Sequence, residues 1–233
     1  WEPLLPQLLI FGVFSLLAVI TSAGRLADAV YDPLIGQWSD RSTNRLGRRI
    51  PFMMWSILPA VLTCVLVFMP PTETASAANG WWLGFSLVAF FVTSTTYIIP
   101  CNALLPELAA TPEARVRLST MQQAGFTLGI VVSASSNNLA AALHTAFELG
   151  SRREALQWAI AALSLLAGIF MLLPVLFINE RKYCNAQPAH QPLLKAIRSA
   201  LRNRSFRIYI FADFAYYMAL YIITSGLLYY VTV

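Results

Sequence analysis

Three observations predict an all-α, polytopic transmembrane helix bundle. The 233 residues are 58% hydrophobic and 12% charged, with a mean hydropathy of +0.62, whereas a soluble domain carries about 25% charged residues. Apolar runs recur at the length of about 20 residues that lets a helix cross a bilayer. The Lys and Arg residues fall mainly in the loops between those runs, so the net charge of +5 is a topology signal and not a nucleic-acid footprint. This composition excludes a disordered or collagen-like chain and a water-soluble nucleic-acid binder. Six Trp, nine Tyr and fourteen Phe supply the aromatic anchors of a membrane protein.

Six apolar segments follow one another. The first covers residues 4–38, with Pro6 in its first turn, where proline is tolerated. At 1.5 Å per residue it would measure about 50 Å, so it must tilt, or bend near Gly24. The second covers 49–69, opened by Pro51 and closed by Pro70-Pro71. The third covers 81–105 and contains Pro100, which frees a carbonyl and favours a kink. The fourth spans 112–143 and the fifth 153–178. The sixth spans 205–232, after a basic amphipathic stretch at 192–203 that suits the membrane interface. The organisation expected is a bundle over 1–182, a basic linker over 183–204 and one further span over 205–233.

Loop charge sets the orientation. The loops after the first, third and fifth segments hold thirteen Lys and Arg, and those on the other side hold two. The positive-inside rule puts the richer side in the cytoplasm and both chain ends outside. Trp1 opens the chain and Glu2 is the one charge among its first twenty residues. That pattern is not a signal peptide, and it points to a chain that begins inside a longer gene product. Cys64, Cys101 and Cys184 have no CxxC or CxxH context and read as small apolar residues. His144 and His190 have no metal-spaced partner and read as surface histidines. HExxH, G-x-S-x-G and clustered metal ligands are absent from the sequence, so an enzyme is not expected.

Four charges lie deep inside apolar segments, away from their ends: Arg25, Asp28, Asp32 and Asp213. Each costs about 2.5–3.5 kcal/mol on an insertion scale and must face a cavity or a partner. Arg25, Asp28 and Asp32 are spaced i, i+3, i+7 and share a helix face, with Thr21 one turn earlier. Two carboxylates and one guanidinium leave a net charge that an added cation or proton neutralises. A structural ion-pair cluster is the competing reading, strongest for Asp32, which precedes Pro33. Asp213 has Tyr216, Tyr217 and Tyr221 near it and either lines a pathway or makes a polar contact. Asn137 and Asn138 read as interhelical hydrogen-bonding residues.

The most specific stretch runs from Asp32 to Pro51: D-P-x-x-G-x-x-x-D-R-x-x-x-R-x-G-R-R, with Gly36, Asp40, Arg41, Arg45, Gly47, Arg48 and Arg49 at its fixed positions. Gly36 permits close helix approach. Asp40 caps the next helix or accepts from an arginine, and Gly47 makes a tight turn. This spacing resembles the loop between the second and third helices of the major facilitator superfamily. More narrowly it is similar to that of the glycoside–pentoside–hexuronide:cation symporters, the melibiose-permease-like family. The resemblance continues in Ile99-Pro100-Cys101-Asn102-Ala103-Leu104-Leu105-Pro106-Glu107-Leu108, in Asn179-Glu180-Arg181-Lys182 and in Leu228-Tyr229-Tyr230-Val231.

The resemblance implies that the six segments are helices two to seven of a twelve-helix fold. Residues 1–182 would then belong to its N-terminal half without the first helix, and 205–233 would open its C-terminal half. It implies a symporter of a sugar or glycoside-like solute, with a lysolipid carrier or a non-transporting relative as alternatives. It implies a coupling site for Na⁺ or H⁺ at Asp28 and Asp32, with Arg25, and with Thr95 beside Thr96 on the fourth helix of that fold. Tyr31 stands where the family pattern has an amide, which keeps both ions open. Ile98 replaces a carboxylate of the sugar site, Asn102 an aromatic residue, and Gln122 or Gln123 an arginine. Asn102, Gln122, Gln123, Asp213 and Tyr217 are therefore the candidate substrate pathway. The partners implied are a small-molecule substrate, the lipid bilayer and the remaining helices of a full-length carrier. The location implied is a bacterial inner membrane. No cofactor beyond the coupling ion is expected.

Overall fold

The computed structural model describes residues 1, 4–6, 9–10, 14–109, 111–148, 150–184 and 193–232. Two compact units, Trp1–Ala189 and His190–Val233, divide the chain.

The first unit opens with β1 (Leu9–Ile10) and β2 (Phe14–Ser15), an antiparallel pair in the register Leu9 to Ser15 and Ile10 to Phe14. The helix expected from residue 4 begins only afterwards, as α1 (Leu16–Arg41). Ile10 and Phe14 are residue types that favour extended backbone, so local preference wins over the continuous apolar pattern there. The helices α2 (Ile50–Val67) and α3 (Ala77–Leu108) follow. Ser76 caps α3 by accepting from the Ala78 N–H. Buried Asn79 ties its first turn down by donating to the carbonyls of Leu4, Thr72 and Thr74.

The single helix expected over 112–143 is two: α4 (Pro112–Ala134) and α5 (Ser136–Ala146), bent by 42°. The Ser135 hydroxyl donates back to the Val131 carbonyl at the break, and back-bonding serines bend helices. Then come α6 (Arg152–Phe177), capped by Ser151, and the short α7 (Glu180–Tyr183), which the apolar pattern does not announce.

Small residues set the packing. Ala140, Ala155 and Ala159 bring α5 against α6. Gly168 of α6 meets Val61 and Ile57 of α2. Along α1 and α3 the contacts run Leu16–Gly80, Ile20–Gly84, Gly24–Phe91 and Gly36–Ile99, so the two helices lie parallel. The core beside the basic loops is Ile50, Met53, Ile57, Tyr97 and Leu104.

Among the described residues three helical stretches are long and apolar enough to cross a membrane: Ile50–Val67, Ala77–Leu108 and Arg152–Lys182; the bent pair α4–α5 makes a fourth. Six were expected. α1 has the length but carries Arg25, Asp28 and Asp32 in its middle.

The second unit holds α8 (Leu193–Arg202) and α9 (Arg204–Thr232). Asn203 joins them, and its side chain accepts from the Ser205 N–H. α9, at 29 residues, also has the length of a span.

Candidate functional site

Two polar assemblies sit on this scaffold. The first is on α1. Arg25, Asp28 and Asp32 follow one another along the helix between the Gly24–Phe91 and Gly36–Ile99 contacts. Thr95, which is buried, lies between Phe91 and Ile99 on the parallel helix α3, at the same level. Gly24 lets the Phe91 ring close onto α1, and the Arg25 guanidinium stands 5.2 Å from the centre of that ring. This cation–π contact holds Arg25. The Oδ1 atom of Asp28 is buried and has no hydrogen-bond partner among the described residues. A carboxylate oxygen in that state is costly until a proton or cation reaches it. Asp28, Asp32 and the Thr95 hydroxyl are hard oxygen donors, the set that a small cation takes. Thr21 bonds to its own helix at the Leu17 and Ala18 carbonyls.

The second assembly joins the 42–49 loop to α1, α3 and α7. Arg49, which is buried, donates to Asp40 Oδ1 from Nη2 at 2.8 Å and from Nε at 3.2 Å. It also reaches the Ala103 carbonyl and lies 2.9 Å from Glu107 Oε1. Arg48 Nη2 lies 2.6 Å from that same Glu107 oxygen. Buried Glu180 completes the set: its Oε2 accepts from the backbone N–H of Arg49 at 2.9 Å and of Ile50 at 3.1 Å. It thereby caps α2, placing a negative charge at the positive end of the helix.

Gly47 has φ +121°, and a Cβ there would overlap the Glu180 carboxylate. Arg181 donates to the Asn44 carbonyl. Burial, with the Glu107 and Glu180 carboxylates nearby, pushes the Cys184 thiol up to about 11. A Cβ at Gly36 would meet Ile99 at ordinary contact distance, so the position has room for a side chain, while Arg41 and Arg45 are exposed. Glu107 and Glu180 are functional candidates that reading along the sequence missed. They lie 59 and 131 residues from their arginine partners, although both stand inside the two short motifs of the resemblance.

The candidate pathway residues are only partly brought together. Gln122 Nε2 donates to Asn102 Oδ1 at 2.7 Å, linking α4 to α3. Gln123 is exposed, and its carbonyl accepts from Thr127. Asp213 and Tyr217 belong to the second unit, where Tyr217 stacks edge-on with Tyr216 at 5.5 Å between ring centres. Asn137 and Asn138 are exposed. Cys64 accepts from the Ser164 hydroxyl, and Cys101 packs on the core. His144, expected on the surface, is half-buried in the last turn of α5. His190 lies outside the described residues.

Comparison with known proteins adds the family. A family model described as MFS/sugar transport protein matches residues 13–233. The isoprimeverose transporter of Lactiplantibacillus pentosus is 25% identical over 91% of this chain and 44% of its own. The inner membrane symporter YicJ of Escherichia coli (strain K12) is 25% identical over 96% of this chain and 47% of its own. The sodium-dependent lysophosphatidylcholine symporter 1 of Xenopus tropicalis is 32% identical over 37% of this chain and 17% of its own. The chain spans less than half the length of these relatives. With apolar helices long enough to span a membrane and a family match over nearly its whole length, the chain is an integral membrane protein and belongs to the MFS/sugar transport protein family.

Proposed function

We propose that the chain forms part of a cation-coupled symporter of a sugar or glycoside-like solute that works by alternating access. The observation that carries this reading is Asp28: a buried carboxylate oxygen without a partner among the described residues, one turn from a second aspartate, beside a helix with a threonine at the same level. Na⁺ or H⁺ at Asp28 and Asp32, with Thr95 as a further oxygen donor, removes the excess negative charge that Arg25 leaves uncompensated. A neutral site crosses the low-dielectric interior at far lower cost than a charged one. Substrate binds along Asn102, Gln122 and Gln123 of the first unit; Asp213 and Tyr217, on the second unit, are separate candidates for substrate contact. Cation and substrate each raise the other's affinity, because binding linkage is reciprocal. The network of Asp40, Arg48, Arg49, Glu107 and Glu180 is a strap that holds the basic side closed, and that side faces the cytoplasm of a bacterial inner membrane. The named relatives include transporters and symporters, which supports a carrier over an enzyme.

A lysolipid carrier is the second reading. The sodium-dependent lysophosphatidylcholine symporter among the relatives favours it, as does Ile98 in place of a carboxylate, since a sugar site needs hydrogen-bonding groups.

The test is uptake into vesicles by the protein expressed from its complete gene. A panel of glycosides, uronides and lysolipids is offered under imposed Na⁺ or H⁺ gradients. Accumulation that follows one gradient and is lost in both Asp28→Asn and Asp32→Asn supports the coupling site and names the ion. Gradient-driven uptake untouched by either substitution makes the two aspartates structural. Absence of uptake for the whole panel despite correct insertion favours a non-transporting relative.

A further inference from the structure

The region between Glu180 and Asp213 has a charge balance unlike any other part of the chain. Residues 181–212 contain seven Lys or Arg and no Asp or Glu. Within it lies α8, ten residues long. At 100° per residue, Leu193, Leu194, Ile197 and Leu201 share one face of this helix, and Lys195, Arg198 and Arg202 share the other. Lys195, Arg198 and Arg202 are exposed, and Leu201 is 51% exposed. The helix ends at Asn203 and leads straight into α9, which adds Arg204 and Arg207 in its first turn.

We infer that α8 is a docking element for an anionic phospholipid surface, with its leucine–isoleucine face in the acyl region and Lys195, Arg198 and Arg202 on the headgroup phosphates. Three features select this occupant over an acidic protein. One short helix presents an apolar stripe and a cationic stripe, and a bilayer interface offers hydrocarbon and phosphate at the matching depths. The next element, α9, is 29 residues long, enough to enter the bilayer at the point where α8 would lie on it. The unbroken run of positive charge supplies the second attraction that a short amphipathic helix needs in order to dock stably. The inference stands apart from the coupling site and does not depend on what is transported.

Spin-label accessibility on the whole protein in vesicles tests it. A nitroxide is placed at Leu201→Cys or Ser199→Cys in a background with Cys64, Cys101 and Cys184 replaced. Two vesicle types are compared, phosphatidylethanolamine with phosphatidylglycerol and phosphatidylethanolamine with phosphatidylcholine. In the anionic vesicles the label at 201 is expected to be reached by oxygen more than by a water-soluble nickel reagent, and the label at 199 the reverse. Each basic residue contributes about fivefold to partitioning, so K195Q/R198Q/R202Q should cut the docked equilibrium on the order of 100-fold and move label 201 into water. Raising salt to about 0.5 M should do the same in part. The charge-keeping variant K195R/R198K/R202K should stay docked, which separates lost charge from lost folding. Label 201 equally deep in phosphatidylcholine vesicles, or indifferent to the triple neutralisation, overturns the inference. So does a label shielded from both reagents, which would mean that protein covers this face.

Discussion

The missing side chain at Gly24 leaves the space that the Phe91 ring of α3 fills, and the ring stands there under the Arg25 guanidinium. A Cβ at this position would stand 2.6 Å from Phe91 Cε2. Gly24→Ala must therefore push the ring aside and open the helix pair one turn from Asp28. Overpacking of this kind costs about 1–3 kcal/mol, so the midpoint of thermal unfolding in detergent should fall. Phe91→Leu made together with Gly24→Ala should recover part of the loss. At Cys184 the effect is chemical. Its thiol is pushed up to about 11 by burial and by the Glu107 and Glu180 carboxylates. The thiolate is the species that reacts. At pH 8 iodoacetamide should modify Cys184 on the order of 100-fold more slowly than a free thiol. The rate should climb as pH approaches 11. The sign of the linkage follows from the raised value. Folding gains from the protonated thiol below its ordinary pKa of 9.0 and loses that gain as pH rises through about 11.

Among the elements, α2 shows how one distant side chain fixes a helix. Its first turn has Pro51 and no side-chain cap of its own. Glu180 supplies the cap from α7, and the positive φ of Gly47 makes room for that carboxylate. Glu180→Gln keeps an oxygen for the two N–H groups but gives up the charge, and charge-assisted bonds are roughly twice as strong as neutral ones. Glu180→Ala removes both, leaves the two backbone N–H groups unpaired and takes one of its two carboxylates from Arg48, a loss of up to about 3–5 kcal/mol on the scale of a broken buried pair. Thermal unfolding should therefore rank wild type above Glu180→Gln, and Glu180→Ala well below both. The sequence makes the helices readable through local signals. Thr111-Pro112 opens α4 and Pro51 opens α2, because caps and prolines act within a turn. The 42° break at Ser135 and the β1–β2 pair were not legible, since both are small local preferences inside an unbroken apolar run. At the candidate site the Arg25, Asp28 and Asp32 face is visible from spacing alone. The packing of Phe91 and the joining of Asp40, Glu107 and Glu180 on Arg48 and Arg49 depend on long-range folding that no spacing encodes.

At the scale of the whole molecule, the strap and the coupling site are linked if the protein alternates between two states. Suppose the cation binds best when the basic side is closed. Weakening the strap then depopulates the state that binds it, and the apparent affinity falls by the same factor as that population. Glu107→Gln leaves an amide facing Arg48 and Arg49, where the carboxylate oxygen lies within 2.9 Å of both. A loss of about 1.4 kcal/mol in the closed state is a tenfold change in the equilibrium between states. The ion concentration for half-maximal uptake should then rise several-fold in Glu107→Gln, with maximal uptake less affected and Asp28 and Asp32 intact. An alkylating probe at Ser39→Cys, a buried position of α1 next to Asp40, should become accessible in step with that shift, in a background with Cys64, Cys101 and Cys184 replaced. Equal accessibility in both proteins, with an unchanged ion dependence, would make Asp40, Arg48, Arg49, Glu107 and Glu180 a structural joint of the first unit. The coupling between its two polar assemblies would then have to travel by another route.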